Sequence, residues 1–334
     1  MVRKQFDLSR FSKKYMMELI LVFITLVLIF TAPGFFTLNN ILNIFRNVAL
    51  AGVISFGMTM TIIGGEIDLS VGSSIALSAV LTATITGALS KAGIMPMESA
   101  VLVAMVCALV IGICIGLVNG FIRTRYGIPT FIITLAMLNV IYGSAALISK
   151  GFPVTTLPDW YNWIGAGQLF GVFPVPALWL LIVFAITYVI MNLTRFGREV
   201  YAVGGNPEAA RLSGIHVSFV KITIMVVVQI LAAFSGIILS AQVMSGSSTF
   251  GRGYEMDVIS AVIIGGTSLN GGIGKVWGTM IGIIFLGVIN NGMTLFGVGD
   301  FQKYIARGLL ILFAVLLNTI QLQSLHQAKV AKCD

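Results

Sequence analysis

Long apolar runs alternate with short polar breaks along the whole chain. Ten stretches of at least 17 residues carry no Asp, Glu, Lys or Arg: 19–45, 47–65, 69–90, 99–122, 126–149, 160–194, 222–251, 258–274, 276–299 and 308–328. A helix that crosses a bilayer needs about 20 mostly apolar residues, because the hydrocarbon layer is about 30 Å thick and each residue rises about 1.5 Å. The pattern therefore predicts an all-α, polytopic membrane helix bundle of about ten transmembrane helices. They are placed near 17–32, 41–63, 70–89, 99–122, 129–148, 175–193, 218–241, 257–269, 273–296 and 303–321. The eighth is short and reads as broken or partly re-entrant. No linker divides the chain, so 1–334 is expected to be one transmembrane domain. Within it lie a basic N-terminus at 1–16, a polar loop at 194–217 and a tail at 322–334.

Composition agrees with this reading. The chain is 57% hydrophobic and 10% charged, whereas a soluble domain is about a quarter charged. A water-soluble enzyme, a disordered regulator and a DNA-binding domain are excluded. The net charge of +8 comes with no basic patch interleaved with aromatics, so it argues for membrane orientation and against a nucleic-acid partner. With ten spans, 14 Lys and Arg fall on the side of the N-terminus and six on the other. The positive-inside rule then places both termini in the cytoplasm. The basic N-terminus precedes an apolar run as in a signal peptide, but Thr31-Ala32-Pro33 is a poor cleavage site, which predicts an uncleaved anchor. Cys107 and Cys114 lie two turns apart on one predicted helix and Cys333 in the tail, so no disulfide framework is expected.

Reactive chemistry is sparse. His216 and His326 have no neighbours at ligand spacing, so no metal site is expected. Gly274-Lys275 superficially resembles a phosphate-binding loop, but Leu269 stands where that motif needs Gly and Val276 where it needs Ser or Thr. The chain is therefore not expected to bind ATP, or any other cofactor, by that route. Glu66 and Asp68, two apart at a helix boundary, are poorly arranged for acid–base work. No nucleophile–base pair lies within a span, which argues against an intramembrane enzyme. Ion-coupled carriers carry ionisable residues in mid-membrane; here Glu66, Asp68 and Asp257 fall at predicted edges.

What is present is packing and punctuation. Gly112, Gly116 and Gly120, and again Gly274, Gly278 and Gly282, form small-xxx-small series, which let helices approach closely where lipid removes the hydrophobic drive to associate. Ile62-Ile63-Gly64-Gly65 is echoed by Ile263-Ile264-Gly265-Gly266, but the two glycine series give a conflicting offset, so no repeat is established. The segment Gly64–Ser74 contains Gly64 and Gly65 for a tight turn, then Glu66, then Asp68 and Ser70 as N-caps for the next helix, then Gly72. It reads either as a capped turn facing the cytoplasm or as a broken-helix element beside a conduit. In the loop 194–217, Asn206, Pro207, Glu208, Ala209, Ala210, Arg211, Leu212, Ser213 and Gly214 spell a short helix. Asn206 caps it, Pro207 suits its first turn, Glu208 and Arg211 complement its dipole, and Gly214 suits its left-handed stop. Two turns are marginal alone, so it must rest on the bundle or dock into a partner. Asn119, Thr134, Asn139, Gln229, Asn290 and Asn291 lie within apolar spans. Such groups need partners, and Asn139, Gln229, Asn290 and Asn291 are the candidates for lining a path for a neutral polar solute.

Three blocks, Gly64–Ser73, Thr194–Ile215 and Tyr254–Thr279, together with Asn290-Asn291-Gly292, resemble the permease subunits of bacterial ABC sugar importers. The ribose-type permeases, with xylose, galactose and autoinducer-2 relatives, are the most similar group. The resemblance runs from about Phe35 to Leu317. It implies a permease in the bacterial inner membrane that moves a monosaccharide, with a second permease copy or paralogue beside it. It also implies a cytoplasmic ABC ATPase, which would carry ATP and Mg, and a periplasmic or surface sugar-binding protein. By position it assigns Asn206–Gly214 to coupling with the ATPase, whose closure would swing the bundle from outward- to inward-facing. Glu66 departs from the neutral residue of the family's block.

Overall fold

The computed structural model describes residues 16–299, 301–306, 308–310, 312 and 316. Residues 1–15 of the expected N-terminal segment, the tail 322–334 and most of the tenth helix lie outside these residues. The chain runs through α1 (Met16–Thr31), α2 (Leu38–Ile63), α3 (Val71–Lys91), α4 (Met97–Tyr126) and α5 (Thr130–Ser149). Then come a short α6 (Asn162–Ala166), a two-stranded hairpin of β1 (Gln168–Leu169) and β2 (Phe173–Pro174), and α7 (Val175–Leu193). The remainder is α8 (Arg195–Gly205), α9 (Pro207–Leu212), α10 (Val217–Val243), α11 (Tyr254–Ile264) and α12 (Val276–Leu295). Among the described residues seven helices are long and apolar enough to cross a membrane, and α1 is a shorter apolar helix. The protein is a polytopic helical bundle.

Several boundaries differ from the sequence reading. α4 continues to Tyr126, where Gly127 in the left-handed region ends it. α11 has only 11 residues and stops at Gly265, so the expected helix over 257–269 is cut short by the glycine pair. α12 starts at Val276, which leaves Gly274 in the preceding loop. α8 was not anticipated: Thr194 caps it by accepting the Gly197 amide.

α10 lies at the centre, packed against α4, α3 and α2. The first glycine series makes this possible. A Cβ on Gly116 would lie 2.5 Å from the Val226 Cα, and one on Gly120 2.8 Å from the Ile222 Cα. Gly278 and Gly282 bring α12 against the backbone of Gly265 and Ala261 in the same way.

The polar breaks sort to two ends. At one, Glu66 meets Arg123 and Lys221, Gly272 bonds to Ile63, and Tyr201 bonds to Gly274. Arg125, Arg195, Arg198, Arg211 and Lys275 belong to the same breaks, so this is called the basic end. At the other, Val154 pairs with Gly246, Tyr161 bonds to Ser240, and Asn40 bonds to Asn291.

Candidate functional site

Three polar features occupy the bundle. The first is a cavity of about 300 Å³ between α2, α11 and α12, toward the end opposite the basic one. Asn40, Asn43 and Asn47 stand on one stripe of α2, Asn290, Asn291 and Thr294 on α12, and Asp257 on α11. Asn40 and Asn291 exchange amide hydrogen bonds of 2.9 and 2.8 Å. A wall of amides and one carboxylate offers both donors and acceptors, as a polyhydroxylated solute requires.

The second is the segment between α2 and α3. Gly64 and Gly65 end α2, with Gly65 in the left-handed region. The chain then runs unwound to Ser70, the cap residue of α3. It is buried rather than displayed: Glu66 is 3% exposed and Asp68 0%. Glu66 accepts from Arg123 Nε at 2.9 and 3.0 Å, from Lys221 Nζ and from the Thr130 hydroxyl. Glu66 thus ties the ends of α4, α5 and α10 together. Ser70 takes the expected cap position of α3, but its side chain makes no cap bond, and Asp68 reaches only as far as Ser70. Its Oδ1 accepts the Ser70 amide and hydroxyl at 2.8 and 2.6 Å, while its Oδ2 accepts Gln229 Nε2 at 2.7 Å. Burial pushes the Asp68 carboxyl above the usual carboxylate range, and its bonds to Ser70 and Gln229 pull it back. Gln229 also donates to the Ser70 hydroxyl at 2.8 Å and accepts from Ser74.

The third is α9. Asn206 accepts the amides of Glu208 and Ala209, both at 3.0 Å. Glu208 pairs with Arg211, Ser213 Oγ donates to the Ala209 carbonyl, and Gly214 takes the left-handed stop. Only Ala210 is buried, and Leu212 is 87% exposed.

The four path candidates do not converge. Asn290 and Asn291 line the cavity, Gln229 sits in the Asp68 network, and Asn139 lies exposed on α5, bonding only back to the Leu135 carbonyl. The edge position of Glu66 and Asp68 does not leave them in water, as neighbouring helices cover them. Sequence reasoning passed over Asn40, Asn43 and Asn47, although their i, i+3, i+7 spacing marks one helix face. It also passed over Arg123, Lys221 and Thr130 as partners of Glu66, for which no local signal exists. Among the described residues no group of His, Cys, Asp and Glu is arranged to hold a metal.

The family described as the branched-chain amino acid transport system / permease component matches residues 40–316. The chain is 43% identical over 288 residues to the ribose import permease protein RbsC of Bacillus subtilis, covering 86% of each chain. It is 39% identical to the RbsC of Escherichia coli K12, covering 92% of this chain and 95% of that one. It is 35% identical to the L-arabinose transport system permease protein AraH of the same strain, covering 95% and 93%. No solved structure matches it significantly.

Proposed function

The chain belongs to the branched-chain amino acid transport system / permease component family, and on that premise we propose that it is the membrane-spanning subunit of an ATP-driven importer of a monosaccharide. Its relatives are named for ribose and arabinose, and the amide-lined cavity suits a neutral polyol of that kind. Energy comes from a separate cytoplasmic ABC ATPase, and an external binding protein delivers the sugar. A second permease, identical or paralogous, completes the pore. The basic end faces the cytoplasm, because it gathers the cationic breaks.

The observation that carries this reading is α9. A helix of six residues, capped at both ends by its own side chains, stands out of the basic end with a leucine uncovered. Such an element is stabilised by docking, and a pushing partner needs a stiff contact of this kind. Closure of the ATPase on ATP would move α9, and α9 leads through Gly214 directly into the central α10.

The test is uptake of labelled D-ribose and L-arabinose by liposomes holding the permease, its ATPase and its binding protein. ATP-dependent accumulation is expected for the wild type. Arg211→Glu, which removes the Glu208 pair and reverses the charge at an exposed site, is expected to abolish uptake while insertion is unchanged. Wild-type-like uptake in that variant would refute the coupling role of α9. Uptake that runs without the ATPase would refute the ATP-driven reading.

A further inference from the structure

Among the described residues, Lys150, Phe170 and Met244 have positive φ without being glycine. Lys150 and Met244 end helices, where the left-handed region is a usual stop. Phe170 ends no helix. It stands at the tip of the β1–β2 hairpin with φ 53°, followed by Gly171 with φ 71°. The Val172 amide donates across this pair to the Leu169 carbonyl at 3.1 Å. Two positive φ values inside such a turn are the condition for type I′, whose first position suits Asn, Asp or Gly. A bulky aromatic there is strained. Its ring is 100% exposed, so no contact within the chain offsets the strain. A strained position that the fold itself does not use points to a function outside it.

The hairpin is held on a rigid base. Tyr161 is buried and its hydroxyl donates to the Ile237 carbonyl of α10 at 2.9 Å. Asn162 Nδ2 donates to the Ala241 carbonyl at 3.0 Å, and Trp179 Nε1 to the Ile164 carbonyl at 3.3 Å. Gly165 lets α6 lie on the α10 backbone, since a Cβ there would overlap the Gln242 amide nitrogen. These bonds also fix the level of the hairpin. Lys221, the one charged residue of α10, pairs with Glu66 at the basic end. Ala241 lies 20 residues further along α10, about 30 Å by the helical rise. That equals the thickness of the hydrocarbon layer, about 30 Å. Ala241 and the α6 segment bonded to it therefore sit at the opposite border of the bilayer.

We propose that the β1–β2 hairpin is a lipid-binding element, which sets the Phe170 ring into the headgroup zone of the leaflet opposite the basic end. The inference does not depend on the importer reading. The chemistry of the segment selects lipid over a soluble protein. From Trp160 to Thr194 there is no Asp, Glu, Lys or Arg, so the hairpin offers no charge for a soluble partner to pair with. Trp160, Trp163 and Val172 are exposed in the same connection. Tryptophan at the membrane border is suited to the headgroup level, where its ring meets both apolar and polar surroundings. The hairpin also runs directly into α7, whose exposed residues Leu181, Ile182, Ile186 and Val189 are all apolar. The tip thus continues a face that already meets lipid. The rigid base keeps the ring at a fixed depth.

The test places a fluorescent label on the full chain in vesicles of phosphatidylcholine and phosphatidylglycerol. Phe170→Cys is labelled in a background of Cys107→Ala, Cys114→Ala and Cys333→Ala. Quenching is read with lipids that carry a nitroxide just below the headgroup, and with iodide in the water. Lys91→Cys, exposed at the end of α3 on the same side, is the aqueous control, and Ile186→Cys on α7 the lipid control. The lipid nitroxide is expected to quench the label at 170 at least about three-fold more than the label at 91. A label at 170 that iodide quenches as it does at 91 would overturn the proposal. So would one that the lipid does not quench and that is shielded only when an external binding protein is added. A second variant removes the ring without a label. Phe170→Asn suits the turn, so a purely local role predicts slower amide exchange in the hairpin. Loss of the lipid contact predicts exchange about ten-fold faster in lipid nanodiscs. Unchanged or slower exchange over residues 168–174 would overturn the proposal.

Discussion

Gln229→Leu isolates the energetic weight of the polar network under the α2–α3 break. Leucine is close to glutamine in size, so the perturbation is chemical rather than steric. Gln229 is fully buried. Its loss deprives Asp68 Oδ2 of a donor at 2.7 Å, the Ser70 hydroxyl of one at 2.8 Å, and the Ser74 hydroxyl of its acceptor. The bond to the carboxylate is worth about 1.5–3 kcal/mol and each neutral bond about 1 kcal/mol, partly offset by the apolar contact that leucine gains. The expected loss is about 2–4 kcal/mol. It should depend on pH. Burial raises the Asp68 carboxyl in the folded protein, so folding favours its protonated form. That contribution is full below the unfolded carboxylate range and is lost as pH rises through the folded value. Gln229 lowers that folded value, so the cost of Gln229→Leu should be smallest in acid and grow as pH rises through the folded value. The assay is reversible unfolding in mixed micelles by increasing SDS, at two pH values, with Asn139→Leu alongside. Asn139 is exposed on α5 and bonds only within its own helix, so its replacement should change stability by less than about 0.5 kcal/mol. A Gln229→Leu protein as stable as the wild type, or equal losses at both positions, would refute the reasoning.

Glu66→Gln leaves Arg123 and Lys221 facing each other without their shared carboxylate. A broken buried pair costs about 3–5 kcal/mol, but the two cations keep 26% and 13% exposure, so a loss of about 1–3 kcal/mol is expected after screening. The same SDS titration measures it; Lys221→Met in the Glu66→Gln background should recover part of the loss, and no recovery would argue against the pair. Gly116→Leu drives a side chain into the α10 backbone at Val226 and should cost at least about 1–3 kcal/mol by overpacking. Val118→Leu on the exposed face of the same helix should be near neutral, and equal yields and stabilities for the two would contradict the close approach.

The sequence settled whatever is decided locally along the chain. The need for about 20 apolar residues per crossing, set against the placement of 32 charged ones, marked the spans and breaks. Asn206, Pro207 and Gly214 fixed α9, because capping acts within a turn of its own residue. The glycine series announced a close helix contact but not that α10 would be its partner. Tertiary structure decided the rest. Glu66 and Asp68 read as edge residues, yet their partners sit at 123, 221 and 229, and no local pattern tells which distant helix will cover a carboxylate. Four amides at 139, 229, 290 and 291 looked equivalent in sequence and went to an outer face, a buried network and a cavity. Length and apolarity decide whether a helix enters the bilayer, but its rotation and neighbours decide whether a polar group on it meets lipid, solute or another side chain.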